Sequence, residues 1–257
     1  MNILFIGDIV GRPGRRTVKK VLKSIIEKYK VDFVIANCEN SAGGMGITAN
    51  VMKELLDMGI DMLTSGNHIW KRRKEVEKVI NNPKLLRPAN YPDLAPGRGF
   101  NVYTSDNKKI GVINLQGRVF MESIDNPFSV IDGVLEQMKE TKNIIVDFHA
   151  EATSEKMAMA WYLDGKVSAV IGTHTHVQTS DEVIMPDGTA YITDAGMTGS
   201  KSGVIGVEKE EIIKKFLTGM PFRFKVAKEN EQLEGVLIKT DDKTGRSIAV
   251  NRINIKK

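Results

Sequence analysis

Apolar positions in the first quarter of the chain come as short unbroken runs, each followed by a stretch with helical spacing. Asn2 to Ile6 is such a run and stops at Gly7-Asp8; Val18, Val21, Leu22, Ile25 and Ile26 then recur every three or four residues, with Lys and Arg between them. An unbroken run suits a strand buried on both faces, and the three-and-four spacing suits a helix with one apolar stripe. Phe33 to Ala36 starts the second cycle and ends at Asn37-Cys38-Glu39-Asn40. Thr48 is placed as the N-cap of a helix carrying Val51, Met52, Leu55 and Leu56, which stops near Gly59. Met62-Leu63 opens a third strand that breaks at Ser65-Gly66-Asn67, and a helical pattern follows from Glu75 to Ile80.

The rhythm then changes. Phe100 to Tyr103 and Ile110 to Leu115, turning at Ser105-Asp106-Asn107-Lys108, read as an antiparallel hairpin. Val130, Val134, Leu135 and Met138 mark a helix, Ile144 to Phe148 a strand ending in His149, and Ser154 to Leu163 another helix. The strand Val167 to Ile171 ends in Gly172-Thr173-His174-Thr175-His176. Ile184-Met185 and Ala190 to Ile192 form a second hairpin around Pro186-Asp187-Gly188. A helix near Glu208 to Leu217 precedes two late strands, Glu234 to Lys239 and Ser247 to Ile255, which turn at Asp242-Lys243-Thr244-Gly245. Strand–helix alternation followed by antiparallel strands predicts an α/β layered fold with mixed sheets. With no linker, low-complexity tract or fixed-period repeat, one domain spanning 1–257 is the expectation.

The polar residues that interrupt this pattern sit in one kind of place. Asp8, Glu39-Asn40, Asn67-His68, His149 and His174-Thr175-His176 each follow a different predicted strand, and loops leaving the carboxyl ends of strands converge on one crevice. Taken singly, Asp8 and Asn67 read as ordinary turn residues and His149 as a structural histidine. His174 and His176 carry more, since residues i and i+2 of an extended segment face the same side. Three of the chain's four histidines lie at these two strand ends, and the fourth is His68. Imidazole, carboxylate and amide oxygen together suit manganese, iron or zinc better than calcium or a thiolate cluster. Seven such groups exceed what one ion needs; two ions ~3.5–4 Å apart, bridged by a carboxylate, would use them all and clamp a phosphoryl group.

Composition narrows the setting. The chain of 257 residues has a net charge of +5, a mild bias towards anionic partners. Its densest basic run, Lys71-Arg72-Arg73-Lys74, reads as a solvated first helical turn rather than a nucleic-acid patch. Cys38 is the single cysteine, so no internal disulfide is available; it is expected to be a small buried apolar residue pointing away from Glu39. Met157, Met159, Trp161 and Leu163 read as helix packing. No run reaches the ~18 apolar residues of a membrane span, and the first residues lack the basic leader of a signal peptide, so a cytoplasmic protein without a membrane partner is expected.

The motifs Gly7-Asp8, Glu39-Asn40, Gly66-Asn67-His68, Phe148-His149 and Gly172-Thr173-His174-Thr175-His176 follow the order found in calcineurin-like metallophosphoesterases. The stretches GDIVGRPGR, NCENSAGGMGIT, SGNHIW, DFHAEATSEKMAMAWYLDGKVSAVIGTHTHVQT and ITDAGMTG resemble the bacterial YmdB-type branch, the 2′,3′-cyclic nucleotide phosphodiesterases. Three departures from the wider superfamily are shared with that branch: Asp8-Ile9-Val10 in place of Asp-x-His, Glu39 in place of the bridging Asp, and Ile69 where an acid commonly follows Gly-Asn-His. The resemblance implies a four-layer sandwich of two mixed β-sheets flanked by α-helices. It implies Asp8, Glu39, Asn40 and His176 on one metal, and Glu39, Asn67, His149 and His174 on the other, iron or manganese ahead of zinc. It also implies attack by a metal-bridging hydroxide, with His68 as the general acid. Arg12 and the turn Gly43-Gly44-Met45-Gly46 are candidates for substrate contact, the latter read equally as a plain flexible turn. A cyclic nucleotide is the expected partner, with RNA and self-association as further ones. A regulatory binder with little turnover, or a nuclease or phosphatase on the same scaffold, are the rival readings.

Overall fold

The computed structural model describes residues 1–105 and 108–256, so the turn expected at Asp106-Asn107 lies outside the described residues. The first strands and helices are β1 (Asn2–Ile6), β2 (Asp8–Ile9), α1 (Gly11–Tyr29), β3 (Phe33–Asn37), α2 (Ala49–Asp57), β4 (Met62–Thr64) and α3 (Arg73–Val76). Next come β5 (Phe100–Ser105), β6 (Lys108–Gln116), α4 (Pro127–Gln137), β7 (Asn143–His149), α5 (Thr153–Leu163) and β8 (Ala169–Thr173). The chain continues through β9 (Val183–Ile184), β10 (Ala190–Ile192), β11 (Met197–Ser200), α6 (Lys209–Thr218), β12 (Glu231–Thr240) and β13 (Ser247–Lys256).

These strands form two mixed sheets. One has the order β2-β11-β12-β1-β3-β4, with β13 on the far edge of β12. Here β1, β3 and β4 run parallel while β12 opposes β1. The other has the order β5-β6-β7-β8-β10-β9, parallel through β6, β7, β8 and β10 and closed by antiparallel edge strands. Ile3, Phe5, Ile35, Ile145, Ile171 and Val236 pack together between the sheets. Val18, Leu22, Ile25 and Leu55 of α1 and α2 cover the outer face of the first sheet, and Ile131, Val134, Met159 and Leu163 of α4 and α5 cover the second. Each parallel strand is thus buried on both faces, which is why it reads as an unbroken apolar run. The four-layer α/β sandwich expected from the resemblance is the architecture found.

Several details follow from local chemistry. Thr48 caps α2 by accepting a hydrogen bond from the Val51 amide at 3.3 Å. Cys38 is buried in the helix-side core, as strand alternation predicts. The basic run departs from expectation: Ile69–Arg72 is a 3-10 turn, and α3 ends at Val76 instead of running to Ile80. Arg72 is not simply solvated there, because its Nε–H donates to the carbonyls of Ala42 and Met45, both at 2.9 Å. Two short strands, β2 and β11, lack an apolar run long enough to announce them.

Those two strands matter most for the site. β1 pairs with β12 as far as Ile6, and Gly7 N still donates to Glu234 O at 3.0 Å. One residue later the chain has changed partner, with Asp8 N donating to Gly196 O at 3.1 Å and Val10 N to Thr198 O at 2.9 Å. The sheet divides at Gly7, and a Cβ placed there would lie 2.2 Å from the Gly196 carbonyl oxygen. No backbone shift of a few tenths of an ångström relieves that contact, so only glycine fits. Gly7→Ala is expected to destabilise the fold by ~1–3 kcal/mol, the usual cost of overpacking, measured by urea denaturation; an unchanged midpoint would show that the split strand is not tightly closed.

Candidate metal centre

The polar strand ends meet where both sheets finish. Glu39 and Asn40 follow β3, and Asn67 and His68 follow β4, in the first sheet. His149 ends β7, and His174 and His176 follow β8, in the second. Asp8 arrives on the split strand β2. Asp8, Glu39 and His149 are buried to within 1% exposure, and Asn40 and His176 are nearly so, which leaves their polar atoms to one another.

Glu39 stands at the centre. Its Oε2 lies 3.1 Å from His149 Nε2 and accepts from the His68 amide at 3.1 Å. Around His149 Nε2 are also Asn67 Oδ1 at 3.2 Å and His174 Nδ1 at 3.0 Å. Glu39, His149 and His174 offer ligand atoms within 4.8 Å of one another, the spacing of a shared cation. The other oxygen, Oε1, faces a second group: Asn40 Nδ2 donates to it at 3.1 Å and also lies 3.1 Å from His176 Nε2. Asp8 Oδ1 lies 3.8 Å from His176 Nε2 and, although buried, has no hydrogen-bond partner. An orphaned buried carboxylate oxygen facing an imidazole nitrogen that donates it no hydrogen bond suits a position built for a cation. The two oxygens of Glu39 therefore divide between two ligand-rich groups. This donor set fits two metal ions.

His174 and His176 reach these groups differently from the expected route. β8 ends at Thr173, and the two histidines have positive φ of 99° and 64°, so they are not alternate residues of an extended strand. His174 joins His149 and Glu39 while His176 joins Asp8 and Asn40. The turn bends because side chains hold it. Asp194 Oδ2 accepts from Thr175 N at 3.1 Å and Thr175 Oγ1 at 2.7 Å, and pairs with Lys156 Nζ of α5 at 2.9 Å. Both members of that ion pair are fully buried.

Other residues that the sequence did not single out orient the imidazoles. His149 Nδ1 lies 2.8 Å from Thr173 Oγ1, which in turn donates to Asp147 Oδ1 at 2.7 Å. Since the hydroxyl's proton is spent on Asp147, His149 donates from Nδ1 and turns Nε2 to the centre. His176 donates from Nδ1 to the Ile205 carbonyl at 2.9 Å, freeing its Nε2 in the same way. Glu151 Oε2 lies 3.2 Å from His174 Nε2, so Nδ1 is the nitrogen presented inward. Gly66 allows the close approach: a Cβ there would sit 2.3 Å from His149 Nε2 and 2.4 Å from Glu39 Oε2.

The electrostatics match. Burial raises the Asp8 carboxyl above its ordinary value against the pull of His176 and His149. Burial also works to raise Glu39, but His149 and His68 outweigh it and hold that carboxyl well below the usual range. Burial would lower His149, yet Glu39, Asp8 and Asp147 push it up to about 9. His174, largely desolvated and next to that imidazole, falls to about 3. The negative field that retains a proton on His149 is the field a metal cation would neutralise in its place.

The centre opens into a cleft of about 760 Å³. His68, Gly43 and Gly44 line it, and Arg72 lashes the glycine turn through its two carbonyl contacts, so this turn is held rather than free. Arg12 is exposed on the first turn of α1 and is not among the lining residues. Lys156→Met would strand Asp194 as an unpaired buried charge. Loss of ~3–5 kcal/mol in stability is expected from such a break, with metal content falling as the His174–His176 turn relaxes; calorimetry beside elemental analysis reads both, and wild-type values in each would sink the pairing role.

The family model for YmdB-like proteins matches residues 4–253. A curated protein of Bacillus subtilis (strain 168), the 2′,3′-cyclic-nucleotide 2′-phosphodiesterase, is 48% identical over 256 residues, covering 99% of this chain and 97% of its own length. A crystal structure of a hypothetical protein from Thermus thermophilus superposes with a TM-score of 0.95 at 40% identity, covering 100% of both chains. Another, described as a novel phosphatase from Mycoplasma pneumoniae, gives a TM-score of 0.95 at 36% identity over 100% of this chain and 93% of its own. With agreement along the whole length in both sequence and fold, this chain belongs to the YmdB-like family.

Proposed function

We propose that this protein is a two-metal phosphodiesterase that hydrolyses 2′,3′-cyclic nucleotides, opening the 2′ ester to leave a 3′-nucleotide. The observation that carries the reading is the division of Glu39 between two ligand groups. Asp8, Glu39, Asn40 and His176 would hold one ion, and Glu39, Asn67, His149 and His174 would hold the other. The substrate assignment draws on the 48%-identical Bacillus relative, whose name specifies that bond. Two bound ions, iron or manganese with zinc as an alternative, would supply Lewis acidity at the phosphate and a nucleophile from water near neutral pH.

The chain's own residues do the rest. His68 lines the cleft, and its Nδ1 is 2.8 Å from Asn40 Oδ1 and 3.1 Å from Glu39 Oε1. Its Nε2 has no hydrogen-bond partner among the described residues, so this nitrogen faces incoming substrate. Asn40 turns its NH2 towards His176 in this arrangement. Ligation through its oxygen requires the amide to rotate by half a turn, which brings the NH2 to His68 Nδ1 instead. His68 would then accept at Nδ1 and carry its proton on Nε2, the orientation needed to protonate a leaving alkoxide. Glu151 orients His174, and Asp147 orients His149 through Thr173.

His68→Ala is expected to keep near wild-type metal content while cutting turnover of a 2′,3′-cyclic nucleotide by ~10²–10⁴-fold. Loss of metal in that variant would assign His68 to the ligands and overturn its acid role. Glu39→Gln is expected to lower occupancy of both sites together in elemental analysis, because one side chain serves both; depletion of only one ion would refute the bridge.

A further inference from the structure

We infer that the cleft continues beyond the metal centre into a strip that receives the 3′ end of an RNA chain terminated by a 2′,3′-cyclic phosphate. This inference rests on the function proposed above and names a larger substrate for the same site. The strip is α6 from Ile212 onwards, past the acidic first turn with Glu210 and Glu211, and the extended segment after it. Residues 212–228 carry five cations and no carboxylate, together with three phenylalanines at 216, 222 and 224. Phe222-Arg223-Phe224-Lys225 alternates aromatic and basic, and all four line the same cleft as Glu39, His68 and His174. Lys215 and Phe216 join them from α6, where Phe216 is 80% exposed.

The strip is fastened to the site. Ile205 O receives the His176 imidazole, Val207 bridges to Val226, and Glu208 N donates to Lys225 O at 2.8 Å. Val226 rests against Gly11 and Gly44, where an added Cβ would meet its methyl carbons at 3.0 Å. Two rings already hold ammonium groups: Lys214 Nζ stands 5.1 Å from the Phe222 centroid, and Lys215 Nζ 5.1 Å from that of Phe224. Phe222 and Phe224 are half-buried and Phe216 is exposed; accessible rings beside cations are how a protein tracks single-stranded nucleic acid, since bases stack on the rings and phosphates meet the charges.

Charge accounting separates a chain from a mononucleotide. A mononucleoside 2′,3′-cyclic phosphate has one negative charge, and that group is the one the metal centre takes. Its base and ribose are neutral, so Lys215, Arg223 and Lys225 would meet no further phosphate. Lys225 has a distant carboxylate, Glu211 at 3.8 Å, and Arg223 has no ion-pair partner among the described residues. The phosphodiesters 5′ to the terminal nucleotide fit these cations. The reaction is otherwise unchanged: water adds to phosphorus, the P–O2′ bond breaks and O2′ takes the proton. The RNA is left with a 3′-phosphate and a free 2′-hydroxyl.

The test compares a cyclic-phosphate-ended hexaribonucleotide with the mononucleotide of the same terminal base, using the manganese-loaded full chain. The hexamer is expected to show about tenfold higher kcat/KM at low salt, an advantage that shrinks as salt rises, because bound phosphates release counterions. Phe222→Ala is expected to weaken binding of a 5′-labelled hexamer with a 3′-phosphate by roughly fivefold or more in fluorescence anisotropy. In the Lys215→Ala/Arg223→Ala double variant, the kcat/KM ratio of hexamer to mononucleotide should fall towards one. Equal kcat/KM for the two substrates in wild type would overturn the inference while leaving the proposed function standing. Hydrolysis of neither would refute the proposed function, and anisotropy would then still decide the strip. If the double variant changes the mass seen by light scattering and leaves the ratio untouched, α6 is a self-association surface and the inference fails.

Discussion

A carboxylate sealed between two sheets must be met by donors, and Asp147 is where this fold meets that demand. The residue is fully buried in the middle of β7, and burial pushes its carboxyl up to about 7 despite His149, Thr64 and Thr173. Its partners come from both sheets: Asn37 Nδ2 from β3 at 3.0 Å, Thr64 Oγ1 from β4 and Thr173 Oγ1 from β8. Four parallel strands are thereby pinned at their carboxyl ends, the same ends that carry Glu39, Asn67, His149 and His174. A partly satisfied polar cluster in this position would cost more than an apolar one, so the register of the two sheets and the geometry of the centre are coupled.

Strain is concentrated next to that floor. Non-glycine residues rarely adopt positive φ, and a residue held there costs on the order of 1–3 kcal/mol. His174 and His176 both do so within three residues. Asp194, Lys156 and the Ile205 carbonyl over-determine the turn, which lets two imidazoles leave one strand end in two directions. A relaxed extended segment would have pointed both at the same place.

The site is legible in the sequence because its members are polar residues that stop apolar runs. Asp8, Glu39, His149 and His174 announce themselves in that way, and the helical and strand periods place the layers around them. The supporting residues are not legible, for a physical reason. Asp147 and Lys156 lie inside a strand and a helix whose neighbours are apolar, and only tertiary packing shows what each meets. Glu151 and Asp194 sit close to motifs yet act across the fold, on His174 and Thr175. Alternation misplaces His174-Thr175-His176 because it holds within a strand and fails once backbone φ changes sign. β2 and β11 stay hidden because strands of two and four residues carry too little pattern. Phe222-Arg223-Phe224-Lys225 does show a two-residue period, but the segment is held beside Val207 by a single bridge and belongs to no long strand.

The tie between His176 and Ile205 constrains how this family could diversify. Loops that set specificity are usually interchangeable, since the scaffold beneath them keeps the catalytic groups in place. Here the loop that leads into α6 supplies, through one main-chain oxygen at a residue with φ of 45°, the anchor that decides which nitrogen of His176 faces inward. A transplanted loop would have to reproduce that carbonyl before it could bring any new recognition. Recombination between relatives should therefore tolerate exchange of the segment after Val207 more readily than exchange of a stretch that includes Ile205.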